Sequence, residues 1–284
     1  MLRRLLRKGR VYFRTTKDPS PNEASLVHDA YTPTPHKTTP KNPSDYVWLH
    51  PSLKTDLEYH PLIQAWLENK QPAKKLYTKI HHDLYQLPLL SAECVTMWNE
   101  ELAHFSRWRE LEDVDIQAPN SMNSYGFILE DLNAQPPWEQ MMQDVISPIS
   151  AELFPLVHGQ GLDELHSFVV EYGSGLDRDL GFHVDASDVT VNLCLGENFV
   201  GNELYFEGRR CELHRQTPAF PGEKFFYSHQ PGVAILHAGK HRHGAVSIES
   251  GIRRNVILWC SSSTLEEDKR CPSWCPEGKT NSTA

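Results

Sequence analysis

Two segments in the C-terminal half of the chain carry residue types that can hold a metal ion. The first is Gly181-Phe182-His183-Val184-Asp185, in which one residue separates a histidine from an aspartate. Three further histidines, His237, His241 and His243, lie downstream and are followed by Arg253. Two imidazoles and one carboxylate form a ligand set for Fe(II) that leaves coordination positions open, and an arginine fork can grip a distant carboxylate. The residue types therefore suggest a reaction centre.

His183 and Asp185 open a stretch in which β-type sequence dominates. Residues i and i+2 of a strand point to the same face, so both side chains can meet one ion while Val184 points away into packing. A second histidine–aspartate pair occurs in His81-His82-Asp83, just ahead of a predicted edge strand and helix. No open ligand face is evident there, and we assign this second pair to a solvated surface.

The third ligand must come from elsewhere in the chain, and three histidines compete for the role. His237 ends an apolar run, whereas His241 and His243 fall in the turn expected after it. On the next predicted strand, alternation sends Arg253 and Arg254 to opposite faces, so only one of the two can face the metal.

The elements that must position these residues are mostly strands. Short apolar runs divided by Gly, Asn and Asp predict strands at 168–170, 189–195, 203–206, 233–236 and 255–259. A run over 84–90 with a proline near its end predicts an edge strand or a strand end. Short strands at even spacing are typical of a sandwich or barrel, here a jelly roll. We predict an α+β fold with a double-stranded β-helix (jelly-roll) core and flanking helices.

Helical patterns precede most of these strands. Residues 48–67 carry spaced apolar side chains typical of one or two short helices, which Pro72 should end. Ser91 is a suitable N-cap for a helix over 92–108. A second amphipathic helix is predicted over about 138–154, with a proline that should kink it.

Composition argues against some functional classes. No apolar run approaches the ~20 residues of a membrane helix, and the formal net charge of −9 argues against a nucleic-acid-binding surface. The six cysteines are too scattered for a secreted disulfide scaffold and indicate a reducing compartment. Cys260, Cys271 and Cys275 match zinc-ribbon spacings poorly, so we expect free or locally paired thiols there.

The arrangement H-x-D followed by H-x₉-R resembles the 2-oxoglutarate- and Fe(II)-dependent dioxygenases of the prolyl 4-hydroxylase and lysyl hydroxylase superfamily. In that family the distal histidine precedes the basic residue for the co-substrate by about this distance. The resemblance selects His243 as the third ligand and Arg253 as the basic residue. His183, Asp185 and His243 are called the triad below.

Lysyl hydroxylases also use a tyrosine eleven residues before the first histidine and an asparagine nine residues after it, which correspond to Tyr172 and Asn192. The resemblance implies that the triad holds Fe(II), which 2-oxoglutarate chelates. It also implies that the far carboxylate of 2-oxoglutarate pairs with Arg253, while Tyr172 and Asn192 donate hydrogen bonds to the co-substrate. O₂ would take the last metal position, and ascorbate is the expected reductant.

A closer resemblance is to the eukaryotic 2-oxoglutarate and iron-dependent oxygenase domain-containing proteins, over about residues 84–275. The similar segments are Asn120-Ser121-Met122-Asn123-Ser124-Tyr125-Gly126, Leu236-His237-Ala238-Gly239, His243-Gly244-Ala245 and Cys271-Pro-Ser-Trp-Cys275. Asn202 stands where that family usually repeats a glycine, which leaves the expected ligands untouched.

The predicted organisation has four parts. Residues 1–43 are rich in Pro, Ser, Thr and Lys and are expected to be disordered. The expected location is cytoplasmic. The alternative is mitochondrial, because the basic residues 1–10 are typical of a transit peptide. A helical extension over 44–83, a dioxygenase domain over 84–265 and a C-terminal tail over 266–284 complete the chain.

The resemblance implies hydroxylation of a substrate C–H bond with release of succinate and CO₂. A peptidyl proline or lysine is the first substrate expected, and a small molecule the second. A metal-binding jelly roll without turnover and a metal hydrolase are the alternatives, against which the triad and Arg253 argue. Two positions stay open for His237, one lining the pocket and one packed in the core. His241 and Arg242 are expected at the surface of a turn. Phe220, Phe225, Phe226 and Tyr227 are expected to form an apolar wall or a lid over the site.

Overall fold

The computed structural model describes residues 42–69, 75–156, 161–196, 198–265, 271 and 275–277. Residues 1–41 of the expected disordered segment, with its basic start, lie outside these residues, as do Pro72 and most of the C-terminal tail. In the part of the chain that is described, none of the helices combines the length and apolarity needed to traverse a bilayer.

The helices lie ahead of most of the strands, as the sequence patterns predict. Helices are α1 Pro61–Asn69, α2 Ala92–Glu112, α3 Pro136–Met141 and α4 Ser147–Leu153. Strands are β1 Thr78–His81, β2 Leu84–Pro88, β3 Gly126–Ile128, β4 Glu164–Gly173, β5 Leu180–His183, β6 Val189–Cys194, β7 Phe199–Gly201, β8 Leu204–Arg209, β9 Lys224–Tyr227, β10 Val233–Ala238, β11 His241–Ala245 and β12 Ile248–Ser261.

The strands form two antiparallel sheets. The larger sheet has the order β1-β2-β10-β6-β12-β4-β3, with β7 added at one end of β12, and the smaller has the order β5-β11-β8-β9. From β4 onward the chain crosses repeatedly between them, because β4, β6, β10 and β12 belong to the larger sheet and β5, β8, β9 and β11 to the smaller. This winding is a double-stranded β-helix, so the predicted fold class is confirmed.

Alternation along the larger sheet separates a helix-facing side from a side that faces the smaller sheet. Val189, Val191 and Leu193 of β6 are fully buried in the core that also contains Trp98 of α2 and Trp138 of α3. The residues between them, Thr190 and Asn192, line a cavity instead. The same strand therefore stabilises the fold with one face and builds a polar site with the other.

Local sequence explains where the helices begin and change form. The Ser91 hydroxyl accepts a hydrogen bond from the Cys94 backbone N–H and caps α2, as predicted. The second predicted helix is divided by a π-helical turn, Met142–Ile146, directly ahead of Pro148 near the start of α4. Because proline lacks an N–H and its ring crowds the preceding turn, an α-helical ladder cannot run through it unchanged.

Two turn positions depart from ordinary backbone geometry. Gly201, the last residue of β7, and Asn202, which follows it, have φ values of +80° and +61°. Asparagine tolerates this left-handed region better than most residues, and the Asn202 side chain donates a hydrogen bond to the Val246 carbonyl. Pro88 stands at the end of β2, which pairs with both β1 and β10, so it marks a strand end and not an edge strand.

A buried carboxylate fastens the N-terminal extension to α2. Glu101, 1 % exposed, accepts hydrogen bonds from the Tyr46 hydroxyl and from the backbone N–H groups of Leu49 (3.1 Å) and His50 (2.6 Å). The boundary at residue 84, between the helical extension and the dioxygenase domain, stays a prediction. Strand β1 lies within the predicted extension yet pairs with β2 in the larger sheet.

We expect Glu101→Ala to lower the free energy of unfolding by about 2–3 kcal/mol, because it removes a charged acceptor and leaves several buried donors unpaired. Urea denaturation measures the change. Glu100→Ala is the matched control: Glu100 is exposed and pairs with the His50 ring at 2.7 Å, so its loss should cost less than about 1 kcal/mol. Equal losses in the two variants would contradict the anchoring role of Glu101.

Candidate metal centre

The two histidines of the triad meet because they are cross-strand partners. His183 ends β5 and lies opposite His243 in β11, with ring centroids 4.3 Å apart. The expectation that His243 lies in a turn is therefore wrong, since β11 already begins at His241. Asp185 lies beyond the end of β5, so strand alternation does not account for its position.

A close approach between two loops sets Asp185 instead. Its backbone N–H donates to the Gly239 carbonyl at 2.9 Å, and the Gly239 N–H donates to the Asp188 carbonyl, also at 2.9 Å. A Cβ on residue 239 would lie 2.0 Å from the Ser187 carbonyl oxygen, so only glycine fits this turn between β10 and β11. The Thr190 hydroxyl donates to Asp185 Oδ2 at 2.6 Å and orients the carboxylate.

Backbone carbonyls orient both imidazoles. His183 Nδ1 lies 2.8 Å from the Gly181 oxygen and His243 Nδ1 lies 2.9 Å from the His241 oxygen. With Nδ1–H donated in this way, Nε2 of each ring faces the carboxylate, at 3.3 Å from Asp185 Oδ1 for His183 and 3.7 Å from Oδ2 for His243. The ligand atoms of the triad all lie within 4.8 Å of one another.

Burial and mutual charge set the protonation states of the triad. Burial lowers the pKa of His243 to about 3, against the pull of Asp185. Burial alone would raise the pKa of Asp185, but His243, His183 and His237 together hold it below its usual range. Burial opposes a proton on His183, yet its hydrogen bond and attraction to Asp185 outweigh burial and raise its pKa. An ionised Asp185 and a neutral His243 are the protonation states that can bind a metal cation.

The other three predicted residues line the same cavity as the triad. The walls of this cavity include Tyr172, Asn192 and Arg253. The Arg253 guanidinium lies over the Tyr172 ring, 4.4 Å from its centroid. Arg253 is 1 % exposed, and among the described residues it forms no ion pair with an aspartate or glutamate. The roles of all six residues stay predictions.

Three further polar residues contact Tyr172, Asn192 and Arg253. The Asn123 amide donates to the Tyr172 hydroxyl at 3.1 Å, and the Asn255 amide donates to Asn192 Oδ1 at 2.5 Å. His229 Nε2 contacts the Arg253 guanidinium. Burial and the positive charge of Arg253 lower the pKa of His229 well below its usual value, so the ring stays neutral and can accept.

Sequence reasoning missed these partners for different reasons. Asn123 lies in the segment 120–126 used for the family resemblance, so the segment was recognised although the residue was given no role. Asn255 lies two residues after Arg253, on the same strand face. His229 lies in a connection without periodicity, where the sequence offers no signal.

His237 and His241, the other two candidates for the third ligand, are buried near the triad. His237 is fully buried, with Nε2 3.9 Å from Asp185 Oδ2 and its ring against His243, and it packs behind the triad without lining the cavity. His241 and Arg242 are 1 % exposed, so the expected surface position is wrong. Their turn is shorter than predicted, and Arg242 donates to backbone carbonyls such as Gly208.

Two other expectations concern surface and wall residues. The second histidine–aspartate pair lies only partly at the surface: His81 and Asp83 are half-buried and Asp83 pairs with Arg209 at 3.7 Å, whereas the intervening His82 side chain is 82 % exposed. The expected apolar wall is wrong, because Phe225 stacks on His81 and Phe226 is 62 % exposed on β9. Neither ring lines the cavity beside the triad.

The residues fit a divalent transition metal. Imidazole and carboxylate are ligands that suit iron, and three protein ligands on one side leave further positions open. His183 and His243 each donate Nδ1–H to a backbone carbonyl, as metal-bound histidines commonly do, and the Thr190 hydroxyl holds the carboxylate.

Comparison with known proteins identifies the class. A family profile described as an OGFOD2-like domain matches residues 45–159. The 2-oxoglutarate and iron-dependent oxygenase domain-containing protein CP2 of Arabidopsis thaliana is 40 % identical over 243 residues, covering 82 % of this chain and 62 % of the relative. The corresponding protein 2 of Xenopus tropicalis is 34 % identical over 248 residues, covering 79 % and 68 %. A solved prolyl-4-hydroxylase of Pseudomonas putida is 17 % identical with a TM-score of 0.43, covering 72 % and 97 %.

The chain belongs to the family of 2-oxoglutarate and iron-dependent oxygenase domain-containing proteins, as its sequence motifs indicate. It spans about half to two thirds of the length of the curated relatives that it matches. The family profile begins ahead of the predicted domain start at residue 84 and ends ahead of the triad.

We expect Thr190→Val to weaken divalent-metal binding by about 10- to 100-fold, because it removes the hydroxyl that orients Asp185 and keeps the shape of the side chain. Titration of the metal-free protein with Mn(II), followed by the electron paramagnetic resonance of the free ion, measures the affinity. Thr96→Val, on the exposed face of α2, is the matched control and should bind as wild type does. Unchanged affinity in Thr190→Val would show that Asp185 needs no such support.

Proposed function

We propose that this protein is an Fe(II)- and 2-oxoglutarate-dependent dioxygenase that hydroxylates a substrate C–H bond and releases succinate and CO₂. The observation that carries the proposal is the buried charge of Arg253 in the same cavity as the triad. A two-histidine, one-carboxylate site alone would serve many metal reactions. A buried guanidinium beside that site favours the binding of an anionic co-substrate.

The contrast with the neighbouring arginine supports this reading. Arg254, on the opposite strand face, donates to Glu171 Oε1 at 2.7 Å, and both side chains are partly exposed. Arg253 is buried, and its nearest partners are neutral or aromatic. Removing a charge from water without a counter-ion is costly. A carboxylate of 2-oxoglutarate would supply that counter-ion through two parallel hydrogen bonds.

The triad would hold the metal through His183 Nε2, His243 Nε2 and an Asp185 oxygen. Bound Fe(II) would supply the oxygen chemistry that no side chain provides. The backbone carbonyls that accept from the Nδ1 atoms keep each Nε2 directed inward, and Thr190 keeps the carboxylate in one orientation. The chain's own contribution is therefore ligand geometry and the exclusion of water.

The opposite end of the cavity would orient the co-substrate. The Tyr172 ring packs against the Arg253 guanidinium. The Tyr172 hydroxyl accepts a hydrogen bond from the Asn123 amide. Asn192 accepts from Asn255 through its carbonyl oxygen, which leaves its NH₂ group as a donor for the co-substrate. These contacts fix the donors before a ligand arrives, which lowers the cost of binding.

The first substrate class we propose is a peptidyl lysine or proline, with a small molecule second and ascorbate as the reductant. Support comes from the sequence, because Tyr172, Asn192 and the spacing of the triad resemble those of lysyl hydroxylases. Specificity loops vary among related folds, so the substrate needs its own test.

Turnover of 2-oxoglutarate to succinate, with Fe(II) and ascorbate in air, tests the proposed reaction. We expect slow uncoupled turnover in the wild type and none in Asp185→Ala. In Arg253→Ala the KM for 2-oxoglutarate should rise by about 100-fold or more, because a buried charge pair is lost. Arg254→Ala is the matched control, since it removes only a partly exposed pair and should change KM by less than about 5-fold.

Two results would contradict this function. Wild-type protein that shows neither turnover nor thermal stabilisation by Mn(II) with N-oxalylglycine would favour the metal-binding jelly roll without catalysis. Equal KM values in Arg253→Ala and Arg254→Ala would remove the assigned role of Arg253.

Substrate class is tested by the stimulation of succinate release. We expect peptides that contain lysine or proline to raise 2-oxoglutarate turnover above its uncoupled rate, and the same peptides with alanine at that position to leave it unchanged. Mass spectrometry should find one added oxygen on the stimulating peptide. Stimulation by small amines or acids, and by none of the peptides, would favour the second class.

A further inference from the structure

A second group of metal-binding side chains lies outside the triad. Cys211 lies two residues after the end of β8, and His214 ends the short 3₁₀ turn Glu212–His214. Cys271 and Cys275 come from the C-terminal segment. Sequence spacing grouped the last two with Cys260, but Cys260 is buried in the main hydrophobic core, apart from this group.

The four ligand atoms are mutually close. Their Cys Sγ and His Nδ1 atoms all lie within 4.8 Å of one another. The Cys211, Cys271 and Cys275 sulfurs lie 3.2, 3.5 and 3.7 Å from His214 Nδ1, and the Cys211 and Cys271 sulfurs are 3.7 Å apart. Cys275 is fully buried and Cys211 is 6 % exposed, whereas Cys271 and His214 are partly exposed.

Three of these four distances equal the edges of a coordination tetrahedron, and the 3.2 Å between Cys211 Sγ and His214 Nδ1 is somewhat shorter. With Zn–S bonds of about 2.3 Å and Zn–N bonds of about 2.0–2.1 Å, tetrahedral geometry places ligand atoms roughly 3.5 to 3.8 Å apart. Three sulfurs and one imidazole nitrogen are a ligand set typical of structural zinc. We propose that Cys211, His214, Cys271 and Cys275 form a structural zinc site in this protein.

A disulfide explains the cluster less well. The 3.7 Å between the Cys211 and Cys271 sulfurs far exceeds a disulfide bond of about 2.0 Å, and all six cysteines are free. A disulfide would also use two thiols and leave His214 and the third thiol unexplained. Four protein ligands leave no position for water or substrate, so the site is structural and separate from the triad in function.

A buried arginine beside the cluster joins it to the C-terminal segment. Three thiolates and one Zn²⁺ carry a net charge of −1, and Arg210, whose side chain is fully buried, directly precedes Cys211. Arg210 pairs with Glu223 at 2.7 Å and with Glu277 at 3.7 Å. The second of these pairs links the jelly roll to the same C-terminal segment that supplies Cys271 and Cys275.

The position of the site indicates what zinc would stabilise. Cys211 follows β8, which pairs with β11 so that Arg209 lies opposite His241 and Phe206 opposite His243. Zinc would fasten the segment 275–277 and Cys271 to the end of this strand pair. It would thereby fix the end of β8, next to the strand that presents His243.

Metal content of the full chain tests the proposal. We expect wild-type protein, purified with a reductant and without a chelator, to carry about one equivalent of tightly bound zinc by inductively coupled plasma mass spectrometry. Cys271→Ser and Cys275→Ser should lose it. Cys260→Ala, outside the cluster, and Asp185→Ala, in the triad, should keep it, so failure here is distinguishable from failure of the proposed oxygenase.

Cobalt substitution keeps the test valid if a cysteine variant fails to fold. Co(II) alone, added to zinc-free wild type, should give the intense visible bands of a tetrahedral thiolate site and a sulfur-to-cobalt charge-transfer band. Asp185→Ala should give the same spectrum. His214→Cys, which preserves four ligands, should retain zinc, whereas His214→Ala should release it to a mild chelator many times faster than wild type.

Three outcomes would overturn the zinc site. They are wild-type protein without zinc and without thiolate–cobalt bands, zinc content unchanged in both Cys271→Ser and Cys275→Ser, and zinc lost in Asp185→Ala but kept in the cysteine variants. The last outcome would assign the bound zinc to the triad.

Discussion

The register of β12 is the constraint on which the cavity depends. This strand lies between β4 and β6, pairs Arg253 with Tyr172, and pairs Ile257 with both Phe168 and Asn192. Its alternate residues Val256 and Leu258 fill the core against the helices. A slip of one residue would turn Arg253 away from the cavity and place apolar side chains in it. Core packing against the helices therefore holds the charge in place.

The triad depends on a different and smaller set of contacts. Its histidines lie on the short strands β5 and β11, and its aspartate is held by the turn at Gly239 and by Thr190. The larger sheet contributes Arg253, Tyr172 and Asn192, so the cavity needs both sheets. The metal end and the arginine end are therefore positioned by separate elements, and the packing of the two sheets sets the space between them.

Long, regular elements were predictable because their periodicity extends over many residues. Strands β4, β6, β10 and β12 and the cap of α2 at Ser91 were all anticipated. Short strands such as β5, β9 and β11 were missed, because four or five residues carry too little alternation and their pairing depends on partners distant in sequence. The same reason placed His243 in a turn and His241 at the surface.

Fixed spacing singled out residues that lie near one another, but it gave no signal for contacts between distant segments. The six residues proposed for metal and co-substrate do come to one cavity. His229 reaches Arg253 from a loop without pattern, and Cys211 and His214 meet Cys271 from a distant segment. Only the folded chain brings such pairs together, since no local rule links them.

The outer strands of the two sheets have a consequence for behaviour at high concentration. In the described part of the chain these are β1, β3, β5, β7 and β9, each of four residues or fewer. An exposed strand edge is a template for pairing with another molecule, and a short edge offers few unpaired backbone groups. Although β9 carries the exposed Phe226, its length and Lys224 limit such pairing. The sheets thus discourage edge-to-edge aggregation through the short length of their outer strands.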